Sequence, residues 1–306
     1  MTVDRVAFTV FGMDIYWYGV LIALGVVLGA MTAALREKRQ GLPHDTVIDF
    51  VLVCMPLAIV CARAYYIAFE WEYFAGDIRK MLDLRSGGLA IYGGVLGGTA
   101  AVWLVSRVKK VSFRTLADVC APSLALGQAI GRWGNFANQE AYGYAVTSPA
   151  WRFFPASVFI QADGQWHLAT FFYESAWCFL IWLVLEVCIR RGAFEKRAKG
   201  DVLLWYVLLY SAERAVVEGL RTDSLYWGGV RVSQAFSAVL LIAVVVLFAV
   251  RSHRLGLRPW ALIPAAACGI AAAVLAFAAV QAPVAMLLLC AVPPVCGLVL
   301  YRQAKA

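Results

Sequence analysis

Nine long apolar stretches, broken by short charged segments, leave this chain few ways to fold. They lie at roughly residues 17–35, 47–68, 88–105, 115–131, 170–189, 202–220, 233–250, 260–281 and 283–301. A helix needs about 20 such residues to cross a bilayer core. The fourth stretch is interrupted by Pro122, Gly127 and Gly131, which membrane helices tolerate when neighbours satisfy the freed backbone groups. Composition agrees, with 62% hydrophobic and 15% charged residues, against about half and a quarter in soluble domains. Disorder, a collagen-like repeat, a disulfide-stapled scaffold and an ordinary soluble globule are excluded. The expected fold is an all-α polytopic membrane protein with a seven-helix core and a C-terminal two-helix hairpin. The core is expected over residues 1–254 and the hairpin over 255–306, its two helices separated only by Gln281, Ala282 and Pro283. A small head is expected at about 132–169, rich in Trp133, Trp151, Trp166, Phe153 and Phe154. No stretch begins with a basic run and ends in a cleavage site, so the first span is expected to stay in the mature protein.

The net charge of +8 is explained by topology. Basic residues cluster at 36–39, 107–114, 190–199, 251–258 and 302–305, which together hold 17 of the 27 Lys and Arg. These clusters fall on alternate sides of successive spans, and the positive-inside rule assigns them to the cytoplasm. The N-terminus is then expected outside and the C-terminus inside. No nucleic-acid partner is implied. The eight cysteines lie inside apolar segments without a CxxC and read as small buried hydrophobes. The three histidines are far apart, so neither a metal site nor a cofactor is expected.

Charges inside a bilayer are expensive and by default functional. In the sixth span, Tyr210, Arg214, Glu218 and Arg221 fall on one helix face at 100° per residue. Either an ion pair that joins helices or an anion site explains them; Arg suits the latter because its planar fork matches a phosphate. Arg63, followed by Tyr65 and Tyr66, is either a snorkelling arginine or a second buried cation. The densest polar run is Gly131-Arg132-Trp133-Gly134-Asn135-Phe136-Ala137-Asn138-Gln139-Glu140-Ala141-Tyr142-Gly143. It offers fixed donors, a proton acceptor and glycines that permit close backbone approach, although a plain helix-end turn fits too. Gly87-Gly88 and Tyr92-Gly93-Gly94 open the third span, where small residues also serve close helix packing.

The run Gly131-Arg132-x-x-Asn135-Phe136-x-Asn138-x-Glu140-x-x-Gly143 closely resembles the signature of the bacterial prolipoprotein diacylglyceryl transferases. Trp17-Tyr18-Gly19, Arg63, Gly87 to Gly94, Asp118 with Ala121-Pro122, Thr170-x-x-Tyr173-Glu174 and Arg214-x-x-x-Glu218-x-x-Arg221 follow in the family's order, so the resemblance covers about residues 8–252. Three features depart from the family pattern. Tyr92 stands where some members have His, His167-Leu168-Ala169-Thr170 is one residue longer than the usual stretch, and residues 259–306 have no family counterpart.

The resemblance implies transfer of the diacylglyceryl group of phosphatidylglycerol to the lipobox cysteine thiol of a prolipoprotein. A thioether forms and glycerol phosphate leaves, at a bacterial inner membrane. It implies that Arg132, Arg214, Glu140 and Tyr92 are catalytic. Tyr18, Arg63, Gly93, Gly94, Asn135, Asn138, Gly143, Tyr210, Glu218 and Arg221 are implied to bind substrate. Arg132 and Arg214 are the expected phosphate clamp, with Arg221 and Arg63 in support. Glu140 and Glu218 are both possible bases for the thiol. A transporter or channel, and an inactive phosphatidylglycerol-binding relative, are the rival readings.

Overall fold

The computed structural model describes residues 4–84, 87–195 and 198–254. The expected hairpin at 255–306 lies outside the described residues. Helices occur at all seven core positions: α1 (Trp17–Arg39), α2 (Thr46–Phe69), two short helices α3 (Trp71–Phe74) and α4 (Ile78–Leu82), then α5 (Ile91–Val108), α6 (Phe113–Asn138), α7 (Thr170–Arg190), α8 (Asp201–Leu220) and α9 (Val232–Arg254). Of these, α1, α2, α5 and α7 are both long and apolar enough to cross a membrane. Their outer faces stay apolar: Val27, Leu52, Val60 and Trp103 are all exposed. Apolar residues on every side of a helix mark one solvated by lipid as well as by protein. The chain is a multi-pass membrane protein.

Three two-stranded antiparallel hairpins accompany the helices: β1 (Val6–Val10) with β2 (Met13–Tyr16), β3 (Ser157–Ile160) with β4 (Gln165–Leu168), and β5 (Tyr226–Trp227) with β6 (Val230–Arg231). All lie between or before the long helices. The alternation in these stretches is only two to five residues long, too short to stand out beside spans of 20.

The chain divides into two compact units, Ala30–Cys120 in one and Met1–Gly29 with Ala121–Ala306 in the other. In the first, α2 and α5 pack backbone to backbone. A Cβ on Gly93 would lie 2.7 Å from the Cα of Ala62, and one on Gly97 would lie 2.7 Å from the Leu57 carbonyl oxygen. The glycines are therefore required by packing, in line with small-residue helix contacts in membranes. At the far end of α1, the fully buried Arg36 donates from Nε to the Val119 carbonyl at 2.9 Å, and Glu37 accepts the Val47 N–H at 2.6 Å.

The second unit has the larger core, in which Tyr173, Trp177, Ile181 and Leu185 of α7 meet Trp205, Leu208, Leu209 and Val216 of α8. Trp177 donates to the Leu209 carbonyl at 3.0 Å and Ser175 to the Ala129 carbonyl at 2.7 Å, so polar bonds as well as packing join α6, α7 and α8.

The α2–α5 contact makes a direct prediction. Gly97→Val should destabilise the detergent-solubilised protein by about 1–3 kcal/mol, the usual cost of overpacking. Gly98→Ala, whose Cβ would meet only the Cys54 sulfur at 3.8 Å, should stay within about 0.5 kcal/mol. Thermal or SDS unfolding of the two variants checks this, and equal tolerance would contradict the packing role.

Candidate active site

The site is built from the ends of α6, α7 and α8. The polar run is largely helical, so the fourth apolar stretch does not end at residue 131. Helix α6 continues to Asn138. One helical turn separates Arg132 from Asn135, so both side chains lie on the same face. The helix closes with the Glu140 N–H on the Asn135 carbonyl at 3.0 Å and the Gln139 N–H on the Phe136 carbonyl at 3.1 Å, a Schellman ending. Gln139 (φ 54°) and Ala141 (φ 56°) both adopt the left-handed conformation, where glycine would be the usual choice. This reversal folds Glu140 back over the last turn. Its Oε1 accepts from the Asn135 amide at 2.8 Å and the Asn138 amide at 3.2 Å. Gly134, in the same run, gives Tyr18 room: a Cβ there would sit 3.2 Å from the Tyr18 Cα.

The centre of the site is Glu174, near the start of α7. Its Oε1 accepts from Arg132 Nη2 at 2.5 Å, and its Oε2 accepts from Arg214 Nη1 at 3.2 Å. The Tyr210 hydroxyl donates to the same Oε1 at 3.3 Å. Arg214 also pairs with Glu218 through Nη2 at 2.5 Å. The Glu174 and Glu218 side chains are 1% and 2% exposed, against 20% for Arg132 and 15% for Arg214. The carboxylates are thus sealed beneath arginines that retain an accessible edge. Arg132 Nη1 reaches the Asn135 oxygen at 3.5 Å, so Asn138, Glu140, Asn135, Arg132, Glu174, Arg214 and Glu218 form one continuous polar chain. Glu174 was not among the expected site residues. It is a lone acid near the start of an apolar span, and the rule that singled out Arg214 applies to it equally.

The adjacent Tyr173 hydroxyl donates to the Ala156 carbonyl, and Thr170 donates to the Ala141 carbonyl at 2.6 Å. These bonds tie the start of α7 to the head.

Arg221 does not continue the face of Tyr210, Arg214 and Glu218. Helix α8 ends at Leu220, and Arg221 is its C-cap with extended backbone, φ −80° and ψ 149°. Its guanidinium donates to both oxygens of Asp223, at 2.8 and 2.7 Å. Partial burial opposes the Asp223 carboxylate, but these bonds outweigh it and hold the carboxyl below the usual range. The physical reason is a strand-like pairing of Arg221 with Gly143, which pulls the chain out of the helix. A Cβ on Gly143 would lie 2.8 Å from the Leu220 carbonyl oxygen, so glycine is required there for backbone approach.

Arg63, Tyr92, Gly93 and Gly94 belong to the other compact unit. Tyr92 lies beside Tyr65, with ring centroids 6.4 Å apart. Arg63 is buried and its guanidinium stacks on Phe74 at 5.0 Å. Nε donates to Met81 O, Nη1 to Gly87 O and Gly88 O, and Nη2 to Lys80 O and Asp83 O, at 2.6–3.0 Å. A guanidinium has five N–H groups, so all of them are used on main-chain carbonyls. Arg63 organises the loop between α2 and α5 and has no donor to spare for an anion, whereas among the described residues Arg132 commits two N–H groups, to Asn135 and Glu174.

Together these features define a multi-pass membrane protein with a buried arginine pair able to receive an anionic group. Residues 5–250 match the family model described as prolipoprotein diacylglyceryl transferase. A Finegoldia magna protein named phosphatidylglycerol–prolipoprotein diacylglyceryl transferase is 45% identical over 244 residues, covering 80% of this chain and 94% of its own length. Proteins of the same name from Bacillus cytotoxicus and Clostridioides difficile are each 42% identical, over 252 and 239 residues. They cover 81% and 78% of this chain and 92% of their own lengths. The chain belongs to the prolipoprotein diacylglyceryl transferase family.

The loop-organising role of Arg63 is open to test. Arg63→Lys cannot serve five carbonyls spread around a fork, and each carbonyl left unpaired costs about 1–3 kcal/mol. Limited proteolysis within residues 77–84 should then be at least about tenfold faster than in the wild type, with membrane insertion unchanged. Equal cleavage rates would show that the five bonds do not order the loop.

Proposed function

We propose that this chain is a phosphatidylglycerol–prolipoprotein diacylglyceryl transferase of a bacterial inner membrane. The sulfur of the acceptor cysteine attacks the glyceryl carbon that carries the phosphate. A C–S bond forms, the C–O bond breaks, and its electron pair stays on the departing glycerol phosphate. The thiol proton leaves with no redox change, so the chemistry calls for no cofactor. Phosphate departure raises the charge from one negative to two, and preorganised cations in a water-poor site stabilise that change best.

The observation that carries this reading is the arginine pair on Glu174. Arg132 and Arg214 come from different helices, yet one buried carboxylate holds both. We assign them to the phosphate, because they keep an accessible edge and Arg132 keeps uncommitted donors. Asn135 and Asn138 orient Glu140, which is exposed and is the better base for the thiol, since Glu218 is buried against Arg214. Tyr210 steadies Glu174, and Gly143 sets the end of α8 beside the head. Tyr18, Tyr92, Gly93 and Gly94 are assigned to the donor lipid on the family resemblance.

The basic clusters support a reading with the C-terminus in the cytoplasm and the N-terminus outside. The acceptor is then the lipobox cysteine of a signal peptide presented at the outer face. Residues 255–306 lie beyond the family match, which ends at residue 250, so catalysis is assigned to residues 1–254.

The purified protein in phosphatidylglycerol vesicles should add one diacylglyceryl mass to a lipobox peptide and release glycerol phosphate. Arg132→Ala and Arg214→Ala should each reduce transfer by about 10²–10³-fold. Lys at either position should restore only part of it, because the fork is lost. Lipid binding without transfer by the wild type would favour an inactive binder. Full activity in either Ala variant would remove that arginine from the clamp.

A further inference from the structure

The head holds a histidine that the transfer reaction does not use directly. His167 lies in β4 and is 6% exposed. Its Nδ1 is 2.7 Å from the Gly143 carbonyl oxygen, and its Nε2 is 2.7 Å from an oxygen of Asp163. Both partners accept hydrogen bonds and neither donates. The ring therefore bridges the two, with Nδ1 on the Gly143 side and Nε2 on the Asp163 side. The Tyr142 ring packs beside it, with centroids 4.6 Å apart. Across the ladders, its neighbours are Val158 and Ala145. Desolvation opposes the Asp163 carboxylate, but the bonds from His167 and from the Gln165 N–H outweigh it and keep the carboxyl below its usual range.

Gly143 is the junction between this ring and the candidate site. Residues 143–146 form a strand-like segment with partners on both edges. On one side the Gly143 N–H donates to Leu168 O at 2.9 Å, the Leu168 N–H to Tyr144 O at 3.0 Å and the Val146 N–H to Trp166 O at 2.6 Å. On the other side the Tyr144 N–H donates to Leu220 O at 3.2 Å, and Gly143 pairs with Arg221. The segment thus receives a carbonyl that would otherwise be orphaned at the end of α8. Arg231 reinforces the junction by donating to Glu218 O at 2.9 Å and to the Tyr144 hydroxyl at 2.7 Å.

We propose that His167 is a positioning residue for the transferase reaction, fixing the Gly143 strand and through it the end of α8 that carries Arg214, Glu218 and Arg221. The proposal rests on the transferase reading given above.

Two substitutions separate the two bonds. An asparagine amide nitrogen takes the place of Nδ1, so His167→Asn keeps the bond to Gly143 and releases Asp163. A glutamine amide nitrogen takes the place of Nε2, so His167→Gln keeps the bond to Asp163 and releases Gly143. In phosphatidylglycerol vesicles with a lipobox peptide, His167→Asn should keep most of the wild-type kcat. His167→Gln should lose about tenfold in kcat, the kinetic equivalent of one hydrogen bond. In hydrogen–deuterium exchange, the amides of residues 143–146 should open faster in His167→Gln than in His167→Asn. Wild-type kcat and exchange in His167→Gln, or equal losses in His167→Asn and His167→Gln, would overturn the proposal. An inactive wild type with the exchange difference intact would instead count against the transferase reading.

Discussion

One buried carboxylate, Glu174, organises the second unit. It holds Arg132 of α6 and Arg214 of α8 from its place on α7, so three helices share a single charge junction. Removing charges from water is costly, and a buried pair tolerates it only with good geometry and further hydrogen bonds. Both conditions are met here: each carboxylate oxygen has an arginine, Tyr210 adds a third donor, and Glu218 supplies a second counter-charge to Arg214. The two arginines are matched by the two glutamates they pair with. The unit can therefore hold two cations at membrane depth without a ligand, and the guanidinium edges left open are preorganised for one.

Glycine does a different job in each part of the molecule. Gly93 and Gly97 let α2 and α5 meet backbone to backbone, and Gly134 makes room for Tyr18. Gly143 lets the head strand lie against the end of α8. None of these four has a positive φ, so each is explained by approach distance and none by a left-handed turn. The unusual backbone sits instead at Gln139 and Ala141, where the chain reverses to bring Glu140 onto Asn135 and Asn138. Strained conformations of this kind persist when surrounding bonds over-determine them, and here the Schellman bonds, Arg5 on the Asn138 carbonyl and Thr170 on the Ala141 carbonyl supply that constraint.

The seven core helices were visible in sequence as long apolar stretches, four of them long and apolar enough to cross a membrane. The transferase signature was visible because its polar residues stand out against an apolar background. What sequence missed was tertiary in origin. Arg221 has helical spacing from Arg214 and Glu218, but pairing with Gly143 ends the helix one residue earlier. The run after Gly131 looks like a loop by its glycines and asparagines, yet α6 carries through it, since tertiary contacts override local propensity. Arg63 looks like any buried arginine until its five carbonyl partners are known, and those partners lie 17 to 25 residues away in sequence. Glu174 is one acid among several; only the fold shows that two arginines converge on it.

The most direct test of that convergence is a double-mutant cycle for unfolding in detergent, comparing wild type, Glu174→Gln, Arg132→Gln and the double variant. Gln is isosteric with Glu and, though shorter than Arg, keeps a polar amide there, so the cycle removes both charges of the pair. If Glu174 is the shared counter-ion, each single change strands a buried charge and the double change relieves it, giving a coupling of about 1–3 kcal/mol. The same cycle with Arg214→Gln should also show coupling. Additivity within about 0.5 kcal/mol in both cycles would contradict the claim that this carboxylate holds the arginine pair together.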